Sequence, residues 1–112
     1  MSASTSGCSV SIVEWADAGH LLGHIREQVF IIEQCVPREL EWDGRDGEST
    51  HVLAMTASGQ PVGTARLLPE GQIGRMAVLR EWRRQGVGTL LLRTLIDSAG
   101  DPARLFLNAQ TS

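Results

Sequence analysis

The chain contains no lysine and no tyrosine, and its ten basic residues are all arginine. Without lysine it cannot form the Gly-Lys-Ser/Thr ending of a Walker phosphate loop. Aromatic residues make up 4% of the chain, and the tryptophans Trp15, Trp42 and Trp82 are too scattered to form a base-stacking platform. The formal net charge is −3. The composition therefore argues against nucleic acid as a partner.

Long apolar runs are also absent. Runs such as Val29–Ile32 are far shorter than the ~20 residues that cross a bilayer. The first seven residues lack the basic start and the apolar centre of a secretory signal, so residues 1–8 are predicted to be a disordered tail. The chain has 112 residues, of which 42% are hydrophobic. This length and composition suit one core, so residues 9–112 are expected to form a single soluble domain.

Cysteine is scarce, and the two residues present, Cys8 and Cys35, have no metal-like spacing. They are predicted to be free thiols in a reducing cytoplasm. His20 and His24 stand four apart on a predicted helix, but no third ligand accompanies them, so no metal site is expected.

Hydrophobic periodicity predicts a mixed α/β layer in the order β-α-β-β-β-α-β, with a parallel final pair of strands. The predicted strands are residues 9–15, 51–57, 62–68, 73–79 and 103–109. The first helix is expected to begin with Asp17 as its N-cap and to run to about Ile32. Its apolar face would carry Leu21, Leu22, Ile25, Val29 and Ile32. The second helix follows Gly86, buries Val87, Leu90, Leu91, Leu95 and Ala99, and turns Arg93 and Asp97 outward.

Charge is distributed unevenly along the chain. Arginines are concentrated between residues 66 and 84, and acids between residues 33 and 48. The arginine-rich stretch ends in Arg83-Arg84-Gln85-Gly86-Val87-Gly88-Thr89, where a strand gives way to a helix. A helix N-terminus exposes unpaired N–H groups, and glycines there let an anion approach them. The stretch is therefore predicted to bind a pyrophosphate.

The stretch from Arg83 to Gly88 resembles the Q/R-x-x-G-x-G/A signature of the GNAT superfamily, the GCN5-related N-acetyltransferases. Further blocks are similar to the bacterial ElaA/YjcF-like branch, and the likeness covers roughly residues 25–110. The blocks are Val29-Phe30-x-x-Glu33-Gln34-x-Val36-Pro37, Glu41-x-Asp43 with Asp46, Pro61 to Leu68, and Ile73 to Val78.

This resemblance implies a GNAT-like acyl-CoA N-acyltransferase fold and acetyl-CoA as the cosubstrate, with no metal. It implies that the amides of the turn bind the pyrophosphate and that the pantetheine arm lies along the preceding strand. The cofactor-binding residues implied are Met76, Ala77, Val78, Arg83, Arg84, Gln85, Gly86, Val87, Gly88, Thr89 and Gln110. The amide of Val78 or its neighbour would stabilise the oxyanion while a primary amine attacks directly.

The resemblance further implies a C-terminal helix and strand hairpin that this sequence lacks, together with a tyrosine that protonates the departing thiolate. The domain is therefore expected to be incomplete at its C-terminus. The chain would be a fragment, a short form completed by another copy, or a domain that binds CoA without catalysis. An uncovered last strand leads us to expect a homo-oligomer.

An attacking amine requires a base, and the resemblance makes Glu33 and Glu41 the candidates, either as base or as anchor for a cationic amine. His51 is expected to be a hydrogen-bonded structural residue. Arg66 and Arg75 are expected to form ion pairs with the acid-rich connection, or to help seat the substrate. Two other functions remain open: a non-catalytic CoA-binding or oligomerising module, and acyl transfer that forms a signalling lactone, since such synthases share a Val-Phe-x-x-Glu-like stretch.

Overall fold

A computed structural model describes residues 3–5, 7–36, 44–100 and 105–107. Its strands form one sheet in the order β1-β2-β3-β4-β5-β6. They are β1 (Ala3–Thr5), β2 (Cys8–Val13), β3 (Thr50–Thr56), β4 (Pro61–Leu67), β5 (Gln72–Val78) and β6 (Phe106–Leu107). Neighbours are antiparallel except β5 and β6, which pair in parallel at Gln72 and Ile73. The predicted α/β class and the parallel final pair are confirmed.

Within the described residues, two helices cover the sheet. Helix α1 (Trp15–Arg26) continues without a break as a π-helix (Glu27–Glu33), and α2 (Val87–Ala99) follows β5. Short 3₁₀ turns occur at Asp46–Glu48 and Arg80–Trp82. In α2 the buried positions are Val87, Leu91 and Leu95, while Arg93 and Asp97 are exposed, as the helical spacing predicted.

The helices pack on opposite faces of the sheet. Val52 and Ala54 of β3 contribute to the core beneath α2, whereas Leu53, between them, packs in the core beneath α1. Successive side chains of a strand point to opposite faces, so a strand covered on both sides is apolar throughout. Each large aliphatic side chain buried in this way contributes about 1.5–3 kcal/mol. The result is a helix–sheet–helix layering with β3 and β4 at the centre of the sheet.

The N-terminal segment differs from the predicted disordered tail. Residues Ala3–Thr5 form β1, paired antiparallel with β2 in a register that places Ala3 opposite Val10. Cys8 already belongs to β2. Gly7, at φ 82°, supplies the left-handed backbone of the turn between the strands. The small polar residues resemble a frayed end in sequence, but β2 offers their backbone a hydrogen-bonding edge.

Helix α1 also departs from prediction at both ends. Its N-cap is Glu14, whose carbonyl accepts from the amides of Asp17 (3.1 Å) and Ala18 (2.9 Å), so Asp17 lies inside the first turn. At the other end Ile32 is 59% exposed and not part of the apolar face. A π-helix has more residues per turn than an α-helix, so positions spaced for an α-helix rotate out of line there.

Candidate functional site

Strand β5 carries an irregularity just before the predicted site. The register with β4 shifts between Thr64 and Arg66, and opposite this shift Arg75 takes a φ of 48°, rare for a residue with a side chain. A bulge of this kind bends a strand and changes the direction of the groups that follow. Here the groups that follow the bulge are those of Met76, Ala77 and Val78.

The backbone of Val78 faces away from β4. The amide of Leu79 donates to the carbonyl of Val62 at 2.9 Å, so Leu79 points its amide toward β4. Backbone groups of successive strand residues alternate in direction, which turns both the N–H and the C=O of Val78 to the other side. That is the side on which β6 pairs with the beginning of β5.

The turn from Arg83 to Gly86 leads into α2 through left-handed conformations. Arg84 has a φ of 62° and Gly86 a φ of 85°. Gly86 is the N-cap: its carbonyl accepts from the amide of Leu90 at 3.0 Å, and no side chain caps the first-turn amides. The first amides of a helix have no intrahelical acceptor, and they carry the positive end of the helix dipole.

Gly88 stands in the first turn of α2 with open space beside it. A Cβ built at this position would meet only the Sδ atom of Met76, at 4.0 Å. Its φ is not positive, and alanine is the better helix former by about 1 kcal/mol. The fold around Gly88 therefore gives no reason for a glycine, in contrast to Gly86. The neighbouring Val87 is 1% exposed and anchors the helix start in the core beneath α2.

Arg83 joins three parts of the molecule through its side chain. Its Nε donates to the carbonyl of Val78 at 2.9 Å, and its two terminal nitrogens donate to the Glu33 carboxylate at 2.7 and 2.6 Å. The hydrogen bonds from Arg83 hold the pKa of Glu33 below its ordinary value. Two residues predicted for separate roles, and fifty positions apart in sequence, thus form one bidentate pair.

A cavity of about 370 Å³ opens beside this pair, between the π-helix and the segment after β5. It is lined by Gln28, Val29, Ile32, Glu33, Leu79, Arg80 and Glu81. Leu79 directly follows Val78, so the cavity adjoins the end of the strand. A larger cavity of about 530 Å³ lies at the opposite end of the sheet, near the β4–β5 turn and the end of α2. It is remote from the predicted site residues.

A buried polar cluster holds the 3₁₀ turn at Asp46–Glu48 in place. Arg26 and Arg66 both donate to Oδ1 of Asp46, at 2.6 and 3.1 Å. The Nε2 of His51 donates to the Asp46 backbone carbonyl at 2.9 Å, and its ring lies 5.3 Å from that of Trp15. The predictions of a structural His51 and of an ion pair from Arg66 to the acid-rich connection are confirmed. Sequence reasoning missed Arg26, which is 1% exposed; it lies four residues after Leu22, on the apolar face of the helix, and that spacing was the signal that could have found it.

Several predicted residues stand apart from this arrangement. Glu41 and Gln110 lie outside the described residues. His20 and His24 are both exposed on α1, and no cluster of metal-ligating side chains occurs within the described ranges. Cys8 and Cys35 are free, as predicted. None of the helices described is long and apolar enough to cross a membrane.

Comparison with known proteins gives consistent matches. The model of the acetyltransferase (GNAT) family matches residues 10–112. The chain is 37% identical over 93 residues to YjcF of Bacillus subtilis, which is described as an uncharacterized N-acetyltransferase. The alignment covers 79% of this chain and 66% of YjcF, so the chain spans just under two thirds of that relative.

Solved structures show the same architecture. Escherichia coli ElaA superposes with a TM-score of 0.78 at 25% identity, covering 92% of this chain and 78% of ElaA. An acyl-CoA N-acyltransferase from Pseudomonas aeruginosa superposes with a TM-score of 0.71 at 31% identity, covering 82% of this chain and 70% of that one. The chain is short compared with these neighbours.

Proposed function

The chain belongs to the GNAT family of acetyltransferases, and we propose that it transfers an acetyl group from acetyl-CoA to a primary amine by direct attack. The amine is that of a small molecule or of a polypeptide amino terminus. The proposal rests on family membership, on the open start of α2 and on the outward-facing backbone of Val78.

In this proposal the donor's diphosphate is held by amides of the turn and the first turn of α2, from Arg84 to Thr89. Three features support it. The N-cap residue Gly86 supplies no side-chain cap to the first turn of α2, neither Gly86 nor Gly88 carries a Cβ that would stand in front of the amides, and the dipole of a helix N-terminus favours an anion. The pantetheine arm would lie along Met76, Ala77 and Val78, on the side where the β5 backbone is turned away from β4.

The chemical step forms one bond and breaks one. The amine nitrogen attacks the thioester carbonyl carbon, the carbonyl oxygen gains charge, and the carbon–sulfur bond then breaks to release the CoA thiolate. The N–H of Val78, which faces away from β4, is the proposed donor to that oxygen. Preorganised donors at a developing oxyanion typically contribute about 3–4 kcal/mol each. The attacking amine loses one proton and the CoA thiolate gains one, so the overall reaction neither consumes nor releases protons.

We propose the 370 Å³ cavity beside Leu79 as the acceptor site. Its volume suits a small molecule or the end of a peptide. Glu33 and Glu81 supply carboxylates on its lining, and Val29, Ile32 and Leu79 supply apolar surface. The exposure of Ile32, unusual for an isoleucine, would be relieved by an apolar part of the acceptor.

The observation that carries the proposal is Gly88, a helix glycine that the protein's own packing leaves unexplained. We predict that Gly88→Ala leaves the free energy of unfolding unchanged or raises it by up to about 1 kcal/mol, because alanine favours the helix. The same change is expected to weaken CoA binding by about tenfold or more, because the methyl group occupies the approach to the amides. Calorimetric titration with CoA and urea unfolding measure the two effects.

The matched control is Gly47→Ala, since a Cβ at Gly47 meets nothing within 4 Å and Gly47 lies in another part of the fold. It should leave CoA binding unchanged. Equal CoA affinity in wild type and Gly88→Ala would contradict the proposed donor site. CoA binding without turnover on a panel of amines would instead favour a non-catalytic CoA-binding module.

A further inference from the structure

We infer that Arg83 is a positioning residue that fixes the end of β5, and that Glu33 serves to hold Arg83 and not to accept the proton of the amine. This inference rests on the proposed function, because it concerns the strand end that would face the thioester. It assigns to the Arg83 side chain a role other than binding the donor's phosphates.

The hydrogen bonds of Arg83 engage all three nitrogens of its guanidinium and three of its five N–H donors. Nε is bound to the Val78 carbonyl, and both terminal nitrogens are bound to Glu33 in the parallel, two-bond geometry in which arginine and carboxylate fit best. Arg83 is 36% exposed and Glu33 28% exposed at their side chains, so the pair is only partly screened by water. Lysine could not replace this arrangement, because an ammonium lacks the planar fork.

The peptide group between Val78 and Leu79 is fixed from both sides. Its N–H, on Leu79, donates to Val62 in β4, and its C=O, on Val78, accepts from Arg83. The plane of this peptide therefore cannot rotate without losing a hydrogen bond. Since it directly follows the proposed oxyanion donor, the Val78 N–H, fixing it restricts the direction of that donor.

The surroundings of Glu33 suit an anchor better than a base. Besides Arg83, Arg80 places a terminal nitrogen 3.9 Å from the Glu33 carboxylate. Glu81 lines the same cavity and is a second carboxylate there. The hydrogen bonds from Arg83 lower the pKa of Glu33, and a carboxylate with a lowered pKa is a weaker base. Its charge is also already matched by a neighbouring cation.

The first test compares steady-state kinetics of Arg83→Met, Arg83→Lys and Glu33→Gln, using acetyl-CoA and whichever amine the wild type acetylates. We expect Arg83→Met to lower kcat by about 10- to 100-fold, because a misplaced donor is costly. The KM for acetyl-CoA should stay within about threefold, since the phosphates are held elsewhere. Glu33→Gln should lower kcat less, by about 3- to 10-fold, and Arg83→Lys should not restore it.

Two results would overturn the inference. A loss of 100-fold or more in kcat for Glu33→Gln, exceeding that of Arg83→Met, would identify Glu33 as the base, whose removal costs about 10²–10⁴. A rise of about tenfold in the CoA dissociation constant of Arg83→Met, with kcat unchanged, would make Arg83 a phosphate ligand. Arg93→Met and Asp97→Asn are the controls, because both side chains are exposed on α2 and should leave kcat unchanged.

A second test needs no catalysis and so separates this inference from the proposed function. In wild-type protein labelled with ¹⁵N and ¹³C, the Arg83 Nε–H should exchange slowly with water. Glu33→Gln should accelerate that exchange, and Arg83→Met should shift the carbonyl ¹³C resonance of Val78. An unshifted Val78 carbonyl in Arg83→Met would refute the hydrogen bond from Arg83 to Val78, and with it the positioning role, whether or not any amine is acetylated.

Discussion

At the residue scale, His51 is a titratable side chain that the fold keeps away from water. It is 1% exposed, and its Nε2 donates to the Asp46 backbone carbonyl. Burial lowers its pKa, and the nearby guanidiniums of Arg26 and Arg66 act in the same direction. Asp46 opposes them, but burial is the largest cause.

We predict that this histidine makes the protein less stable in mild acid. Below the ordinary histidine pKa of about 6.5 the unfolded chain binds a proton that the folded chain does not, so the free energy of unfolding falls as pH falls. The contribution of His51 to this fall ends once the pH drops below the lowered pKa that His51 has in the folded state. Urea unfolding between pH 7.5 and pH 5 should show the fall, and His51→Gln should reduce it. His24→Gln, exposed on α1, is the control, and equal pH dependence in His51→Gln and wild type would contradict the assignment.

Single residues also show where sequence reasoning reached its limit. His51 and Arg66 were correctly interpreted as structural, because a histidine at the start of a buried strand and an arginine facing an acid-rich segment have few other partners. The partner of Arg83 was not predictable in the same way. Glu33 lies fifty positions earlier, and only the packing of the π-helix against the end of β5 brings the two together. Local pattern holds no information on such a contact.

At the scale of elements, Asp46 connects three of them. It receives Arg26 from α1 and Arg66 from β4, and it begins the 3₁₀ turn at Asp46–Glu48. Asp46 is 6% exposed, so this is a buried charge cluster. The attraction inside such a cluster barely exceeds the cost of taking its charges out of water, but removing one member is expensive.

We predict that Asp46→Asn lowers the free energy of unfolding by about 3 kcal/mol, because both arginines lose the carboxylate that they share. Chemical denaturation followed by circular dichroism measures it. Asp97→Asn, on the exposed face of α2, serves as the control and should change stability by less than about 0.5 kcal/mol. A similarly small change in Asp46→Asn would show that the buried cluster contributes nothing to holding the turn.

Element types were predicted more successfully than element ends. The strands of the central hairpins and helix α2 follow from alternation and from the spacing of Val87, Leu91 and Leu95. The π-helix was invisible in sequence, because the spacing of Val29 and Ile32 fits an α-helix equally well. Strand β1 was missed for a different reason: its stability comes from pairing with β2 and not from its own residues.

At the scale of the whole molecule, the layering separates the two halves of the proposed site. The open helix start belongs to α2 on one face of the sheet, whereas the 370 Å³ cavity borders the π-helix on the other. Strand β5 runs between them and ends at Val78, which Leu79 of the cavity lining directly follows. A donor and an acceptor approaching from opposite faces would therefore meet at the end of this strand.

The donor half can be tested on the whole molecule by thermal unfolding with ligands. We predict that CoA at about 100 times its dissociation constant adds about 2.7 kcal/mol to stability, because it binds only the folded chain. For a domain of this size that corresponds to a rise in Tm of about 10 °C. Pantetheine lacks the diphosphate and should give a much smaller rise at the same concentration, as should CoA with the Gly88→Ala variant. Equal shifts for CoA and pantetheine would mean that the pantetheine arm dominates binding, and that the amides at the start of α2 are not the diphosphate site.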